Sequence, residues 1–272
     1  MNSVVRFAGQ DTTRKPSDTV WKQCPWAAIQ NGNVNGVTFF EDFESFPITP
    51  PTTEGNWGRL AMFSSTGGTA ANNSATDVGG VLAIGSDGDN EGASFRTVST
   101  PFLISRDYSD LWFEIRLKTS TIADTKHGIF VGLIENVAFT ATVPIAAAGT
   151  LTDNNFVGFH RLEGDGDYFD TVYKADTVTQ VTVQSDACLL VADTFTKLGM
   201  RFTKTNDLGG AFILSFYQDG VRLSTHKQIP SSAGTDFPND VSLGIGVAVL
   251  NATGTTPGTT AIDWIKAAQI FA

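Results

Sequence analysis

The sequence predicts an all-β protein, and three observations predict it. Short apolar or alternating runs recur along most of the 272 residues, with Gly, Asn, Asp and Pro falling between them. Charged residues make up only 17% of the chain, whereas 41% are hydrophobic and 20 are Phe, so the chain is too apolar to stay unfolded and suits many short strands. No segment keeps a 3.6-residue apolar period long enough for a stable helix. The nearest, TVPIAAAGTL at 142–151, is interrupted by Pro144 and Gly149.

Residues 1–36 read as an extended N-terminal arm, polar apart from the anchors Val20, Trp21 and Trp26, and ending in the turn-rich NGNVNG. The first 30 residues carry Arg6, Arg14, Lys15 and Lys22 against Asp11 and Asp18, a local net charge of +2 on a chain of net charge −10. A basic arm on an acidic body suits docking on an acidic neighbour, and equally an ordinary solvated terminus. Two Trp in such a segment need a surface to pack on, either the arm's own domain or another subunit. Arg6, Arg14, Lys15, Trp21 and Trp26 are therefore the candidate partner-binding residues.

Residues 37–272 read as one β body. VTFFEDFESFP (37–47) opens it, and strands are predicted at 78–84, 110–118, 128–135, 155–162, 178–183, 195–204, 211–217, 241–250 and 260–270. FILSFYQDGVRLSTHK (212–227) carries the sharpest local signal. Its Asp219-Gly220 pair supplies the positive φ values of a tight hairpin between apolar flanks. The closing TAIDWIKAAQIFA is apolar to its end, which predicts a last strand tied into a sheet.

Composition excludes several function classes. A net charge of −10 and a pI near 4.6 argue against nucleic acid as a direct partner, because phosphate binding depends on clustered Lys and Arg. Cys24 and Cys188 stand far apart, without the spacing of a zinc site or a disulfide framework. No apolar stretch reaches the length of a bilayer span, so no membrane is expected. MNSVVRFAGQDTTRK has neither the apolar run nor the cleavage-like end of an export signal, and synthesis in a cytoplasm is expected.

Three stretches, FFEDFESF, FILSFYQDGVRL and IDWIKAAQIF, together resemble the concanavalin A-like lectin/glucanase superfamily, laminin-G-like domains included, over residues 37–272. The resemblance implies an antiparallel two-sheet jelly-roll sandwich with its first and last strands in one sheet. It also implies where catalytic acids would stand. In the glucanase branch they follow roughly E-x-D-x-x-E on a central strand of the concave sheet, where residues two apart share a face. Here the order is Glu41, Asp42, Phe43, Glu44, on the first strand. Only Asp42 and Glu44 would share a face, about 6.6 Å apart along an ideal strand. The central candidate, LWFEIRLK, offers Glu114 with no second acid two residues on. The catalytic pair is absent. No catalytic residue and no enzymatic activity are expected, and the acids of 41–44 read as charges on the solvent side of a strand whose Phe residues face inward.

Two acidic loops have the oxygen ligands and glycines that suit Ca²⁺, GSDGDNEG (85–92) and EGDGDYFD (163–170). Asp165, Asp167 and Asp170 are the leading set. Gly-Asp turns are also ordinary strand connections, the more frequent case, and neither loop matches the twelve-residue calcium loop. No other cofactor is expected. His127, His160 and His226 are scattered and read as structural. Trp57, Trp112, Tyr168, Tyr173, Tyr217 and Trp264 have faces that stack on sugars, but Trp112 and Trp264 sit inside apolar strands and read as core.

A sandwich without catalytic acids, rich in Gly, Thr, Asn and Ala, acidic and almost free of Cys, resembles a tailed-phage virion protein. That resemblance implies a capsid decoration or accessory protein, found in the virion, forming a homo-oligomer and binding the major capsid protein or other virion subunits. The alternatives are a carbohydrate-binding, lectin-like module and, third, a glycan hydrolase with acids that no motif marks.

Overall fold

The computed structural model describes residues 14–44, 54–64, 68–72, 80–86, 88, 90–104, 110–123, 127–135, 144–145, 151–162, 166–204, 212–229, 236–251 and 258–271. One short helix, α1 (Trp26–Gln30), precedes the strands β1 (Gly36–Glu41), β2 (Glu54–Trp57), β3 (Leu60–Ser64), β4 (Gly68–Asn72), β5 (Leu82–Ser86), β6 (Gly92–Thr97), β7 (Phe102–Ile104), β8 (Leu111–Thr119) and β9 (His127–Ile134). There follow β10 (Phe156–Arg161), β11 (Tyr168–Lys174), β12 (Val181–Leu189), β13 (Thr196–Lys204), β14 (Phe212–Gln218), β15 (Val221–Ile229), β16 (Val241–Asn251) and β17 (Thr259–Ile270).

The strands form two antiparallel sheets. One has eight strands in the order β15-β14-β13-β8-β17-β5-β4, with β1 beside β17; the other has nine in the order β12-β11-β10-β9-β16-β6-β3-β2, with β7 beside β16. The first and last strands pair with each other, Gly36 opposite Ile270 through Glu41 opposite Ile265. The all-β, two-sheet architecture and the shared sheet of the two end strands follow the sequence expectation.

Alternation fixes which residues meet between the sheets. Leu198, Met200 and Phe202 of β13, Phe113, Ile115 and Leu117 of β8, and Ile265 and Ala267 of β17 face Val131, Leu133, Val157, Phe159, Ile245 and Val247 of the nine-stranded sheet in one buried cluster. Phe159 and Phe216 meet edge to face across the gap with centroids 5.2 Å apart. One polar side chain clips the layers together. Gln269 of β17 accepts from the Leu103 amide at 2.9 Å and donates to the Leu103 carbonyl at 2.6 Å, pairing with β7 as a strand would.

The turn of the 212–227 hairpin is as predicted, with φ of 49° at Asp219 and 80° at Gly220. Both edge strands at this end of the sandwich, β12 and β15, carry register shifts against their neighbours, and Gln184 of β12 accepts from the Thr225 amide of β15. Such bulges twist an edge away from further pairing.

Several predicted elements change. β1 stops at Glu41: Phe43 turns to φ 58° with its ring fully buried, so Asp42 and Glu44 lie in a turn and share no strand face. Glu41 and Asp42 instead accept the amides of Phe43 and Glu44. Most of the stretch 142–151 lies outside the described residues, but Ile145 and Leu151 within it form an antiparallel bridge. β2, β3, β4, β6, β7 and β11 were not marked by alternation in the sequence.

Candidate functional site

The outer faces of both sheets are where a site would be built, and both are largely covered. On the eight-stranded sheet, strand alternation sends Trp112, Glu114 and Arg116 of β8 outward, since their neighbours Phe113, Ile115 and Leu117 face in. Their cross-strand partners are Arg201, Gly199 and Lys197 on β13, and Ala268, Lys266 and Trp264 on β17. A register shift between Ile262 and Trp264 turns Asp263 outward as well.

Residues 14–34 lie over this face. Arg14 binds Asp263 through Nε at 2.9 and 3.1 Å and through its terminal nitrogen at 2.8 Å, and Arg116 reaches the same carboxylate at 2.5 Å. All three are nearly solvent-free, and a charge taken out of water is tolerated only when so paired. Trp264 donates from its indole to the Arg14 carbonyl at 2.6 Å. Glu114 accepts from the Ser17 amide at 2.9 Å and from the Trp21 indole at 2.7 Å. Burial pushes the Glu114 carboxyl above its ordinary value, against the opposing pull of these donors and of Lys197. Val20, fully buried, sits where a side chain on residue 199 would go, so Gly199 makes room for the segment. Trp21 and Trp26 meet edge to face at 5.6 Å and hold the Lys266 ammonium 4.0 and 4.4 Å from their ring centroids. Ile29 of α1 closes an apolar patch with Trp112 and Ala268.

Of the arm residues singled out for partner binding, Arg6 lies outside the described residues. Arg14, Trp21 and Trp26 are engaged with the chain's own sheet, and Lys15 pairs with Asp18 at the surface. Trp112 and Trp264 are buried as expected, but beneath this segment rather than between the sheets. The segment finds apolar area here because the sheet offers Trp and Ala where a solvated sheet would offer polar side chains.

On the nine-stranded sheet, Gly246, Gly132 and Gly158 fall in one row across β16, β9 and β10. A Cβ on either Gly132 or Gly158 would run into the backbone of the other strand, so the strands approach there as only glycine allows. Phe130 and Phe156 flank the row and meet edge to face at 5.7 Å. Ile145 and Leu151, together with Val172, Ala248 and Leu250, bury them in a second apolar cluster. His160, also buried on this face, lies 2.9 Å from the Gln180 amide.

The carboxylates are thus dispersed. Glu114 and Asp263 are held by the N-terminal segment, and Glu41 closes a turn, its carboxyl pushed up by burial. Of the calcium set, Asp165 lies outside the described residues; Asp170 accepts from the Asp186 amide at 2.8 Å and the Asp167 carbonyl accepts from Leu190 at 2.7 Å. No group of three or more His, Cys, Asp or Glu placed to share a metal ion occurs among the described residues. Tyr173 and Tyr217 are buried, Tyr168 is half-exposed, and the Trp57 side chain lies outside the described set.

Comparison with known proteins places the fold. No protein-family model and no curated protein sequence matches the chain. Among solved structures, an endo-1,3-beta-glucanase from Streptomyces sioyaensis superposes with a TM-score of 0.54 at 12% identity, over 88% of this chain and 98% of that one. A protein of unknown function from Shewanella oneidensis MR-1 superposes with a TM-score of 0.52 at 16% identity, over 91% and 94% of the two chains. The fold is the concanavalin A-like β-sandwich. At such identities the likeness is one of fold alone, and a fold does not fix a function.

Proposed function

We propose that the chain is a non-enzymatic structural protein of a virus particle, a decoration or accessory protein of a tailed-phage capsid. The observation that carries the non-enzymatic part is the use of the outward strand carboxylates. Glu114 and Asp263 anchor the chain's own N-terminal segment, which leaves no free pair among the described residues of that face to serve as acid and base. The virion part rests on the texture of the sequence, acidic, rich in small residues and nearly Cys-free. In this reading the partner is the major capsid protein or another virion subunit, the protein acts as a homo-oligomer, and it is made in the host cytoplasm. The test mixes the purified chain with candidate capsids and inspects them by electron microscopy, beside a reducing-sugar assay on β-glucans. Decorated particles and no sugar release are expected; sugar release that a single carboxylate substitution abolishes would overturn it.

A second reading, a carbohydrate-binding module, is favoured by the superposition on a glucanase. A glycan array separates the two.

A further inference from the structure

On the outer face of the eight-stranded sheet, two shielded nitrogen donors are left without an acceptor, beside a lysine that makes no ion pair. The Trp112 indole N–H is shielded from solvent and unpartnered, in a residue only 1% exposed. Arg201, its cross-strand partner, has a shielded Nε with no acceptor, and its guanidinium makes no ion pair; it lies 5.8 Å from the centroid of the Trp112 ring, and its charge acts on the Asp110 carboxyl. Lys266, one row along, lies against the rings of Trp21 and Trp26 and likewise has no ion pair, though the charge of its cross-strand neighbour Glu114 acts on it. The nearest acids do not fill the gap. Glu114 is occupied by Ser17 and Trp21, and Asp110 by the Lys204 amide at 3.0 Å. A buried donor left without a partner is destabilising, and more so when charged. Two such donors beside the Lys266 ammonium mark a place that an anion would stabilise.

We propose that Arg201, Lys266 and the Trp112 indole form a binding site for a carboxylate group at the join between the N-terminal segment and the outer face of the eight-stranded sheet. A planar, forked guanidinium beside an indole N–H matches the two oxygens of a carboxylate, and Lys266 supplies the second positive charge. The rings of Trp21 and Trp26 and the half-buried Cys24 thiol, which burial holds protonated with a pKa pushed up to about 11, wall the site with uncharged surface. The carboxylate comes either from a small organic acid or from an Asp or Glu side chain of another chain. The site is independent of the virion reading and stands or falls separately from it.

Three of the five Trp lie at the site, so intrinsic fluorescence reads it directly. The full chain is titrated with sodium acetate, with inorganic phosphate and with a hexaglutamate peptide, each against sodium chloride at equal ionic strength. A saturable change with acetate is expected, about tenfold or more weaker in Arg201→Gln and partly restored in Arg201→Lys. A response to acetate assigns a small acid as sufficient; a response to the peptide alone assigns a carboxylate presented by another chain. Phosphate binding more tightly than either, equal responses in wild type and Arg201→Gln, or no response to any of the three would overturn the proposal. Circular dichroism and melting of both variants check that the fold is kept.

Discussion

Removing the Asp263 carboxylate should cost more than removing either arginine that holds it. In Asp263→Ala the guanidiniums of Arg14 and Arg116, each 7% exposed, lose their shared counter-ion and stay buried side by side. Stripping one partner from a buried ion pair costs about 3–5 kcal/mol. With about 2.1 cal/mol/K of unfolding entropy per residue over 272 residues, the melting temperature should fall by about 5–9 °C. Arg14→Ala leaves Asp263 paired with Arg116, which also stacks 4.0 Å over the Phe195 ring, so its cost should be about 1–3 kcal/mol. The double variant should cost less than the sum of the two, by about 0.5–3 kcal/mol, because the groups share one interaction. Urea unfolding gives the three free energies. Limited proteolysis adds an independent readout: in Arg14→Ala, cleavage within residues 14–34 should precede cleavage of the β body. If Asp263→Ala lost under about 1 kcal/mol, or Arg14→Ala cost as much as Asp263→Ala, the ion cluster would not be what fastens the segment.

Other outcomes follow from the same packing. Burial holds the Glu114, Glu41 and Asp110 carboxyls above their ordinary values, so the folded state binds their protons more readily than the unfolded one. Stability from these groups therefore rises as pH falls through the folded values toward the unfolded range. The difference in unfolding free energy between wild type and Glu114→Gln should grow from pH 7 to pH 5, and a flat difference would remove Glu114 from that account. Gln269→Leu strands both the amide and the carbonyl of Leu103 and should cost about 2–4 kcal/mol by urea titration. Gly158→Ala drives a methyl into the backbone of β9 and should lose about 3 kcal/mol or fail to yield folded protein, judged by near-ultraviolet dichroism. Burial raises Cys24 to about 11 and Cys188 to about 12, so neither thiol should react with a disulfide reagent at pH 8 until urea unfolds the chain.

Sequence pattern located β8, β9, β13, β14, β16 and β17 because each sets large apolar residues at alternate positions over seven or more residues, a period that strand geometry alone imposes. It passed over β4 and β6, which are five or six residues long and made largely of Ala, Ser, Gly and Thr, and β3, whose Leu-Ala-Met-Phe-Ser is a short apolar run without alternation. The one-turn helix α1 was also missed, since five residues cannot display a helical period. The strands' own polar positions were harder still. Glu114 and Arg116 look in sequence like the solvated side of a strand, and both are buried. The clue was Trp112, an aromatic at the same parity as the charges, which signals that the outward face has a cover.

The fold class, the hairpin at Asp219-Gly220 and the tethered last strand were settled by local pattern, because period and turn geometry act over a few neighbouring residues. What the carboxylates and the N-terminal tryptophans do was decided only by tertiary structure. Arg14 and Asp263 lie 249 positions apart, and no local rule brings them together. Their pairing exists because strand β17 bulges at that point and the N-terminal segment crosses it, a juxtaposition set by the closing of the whole sheet.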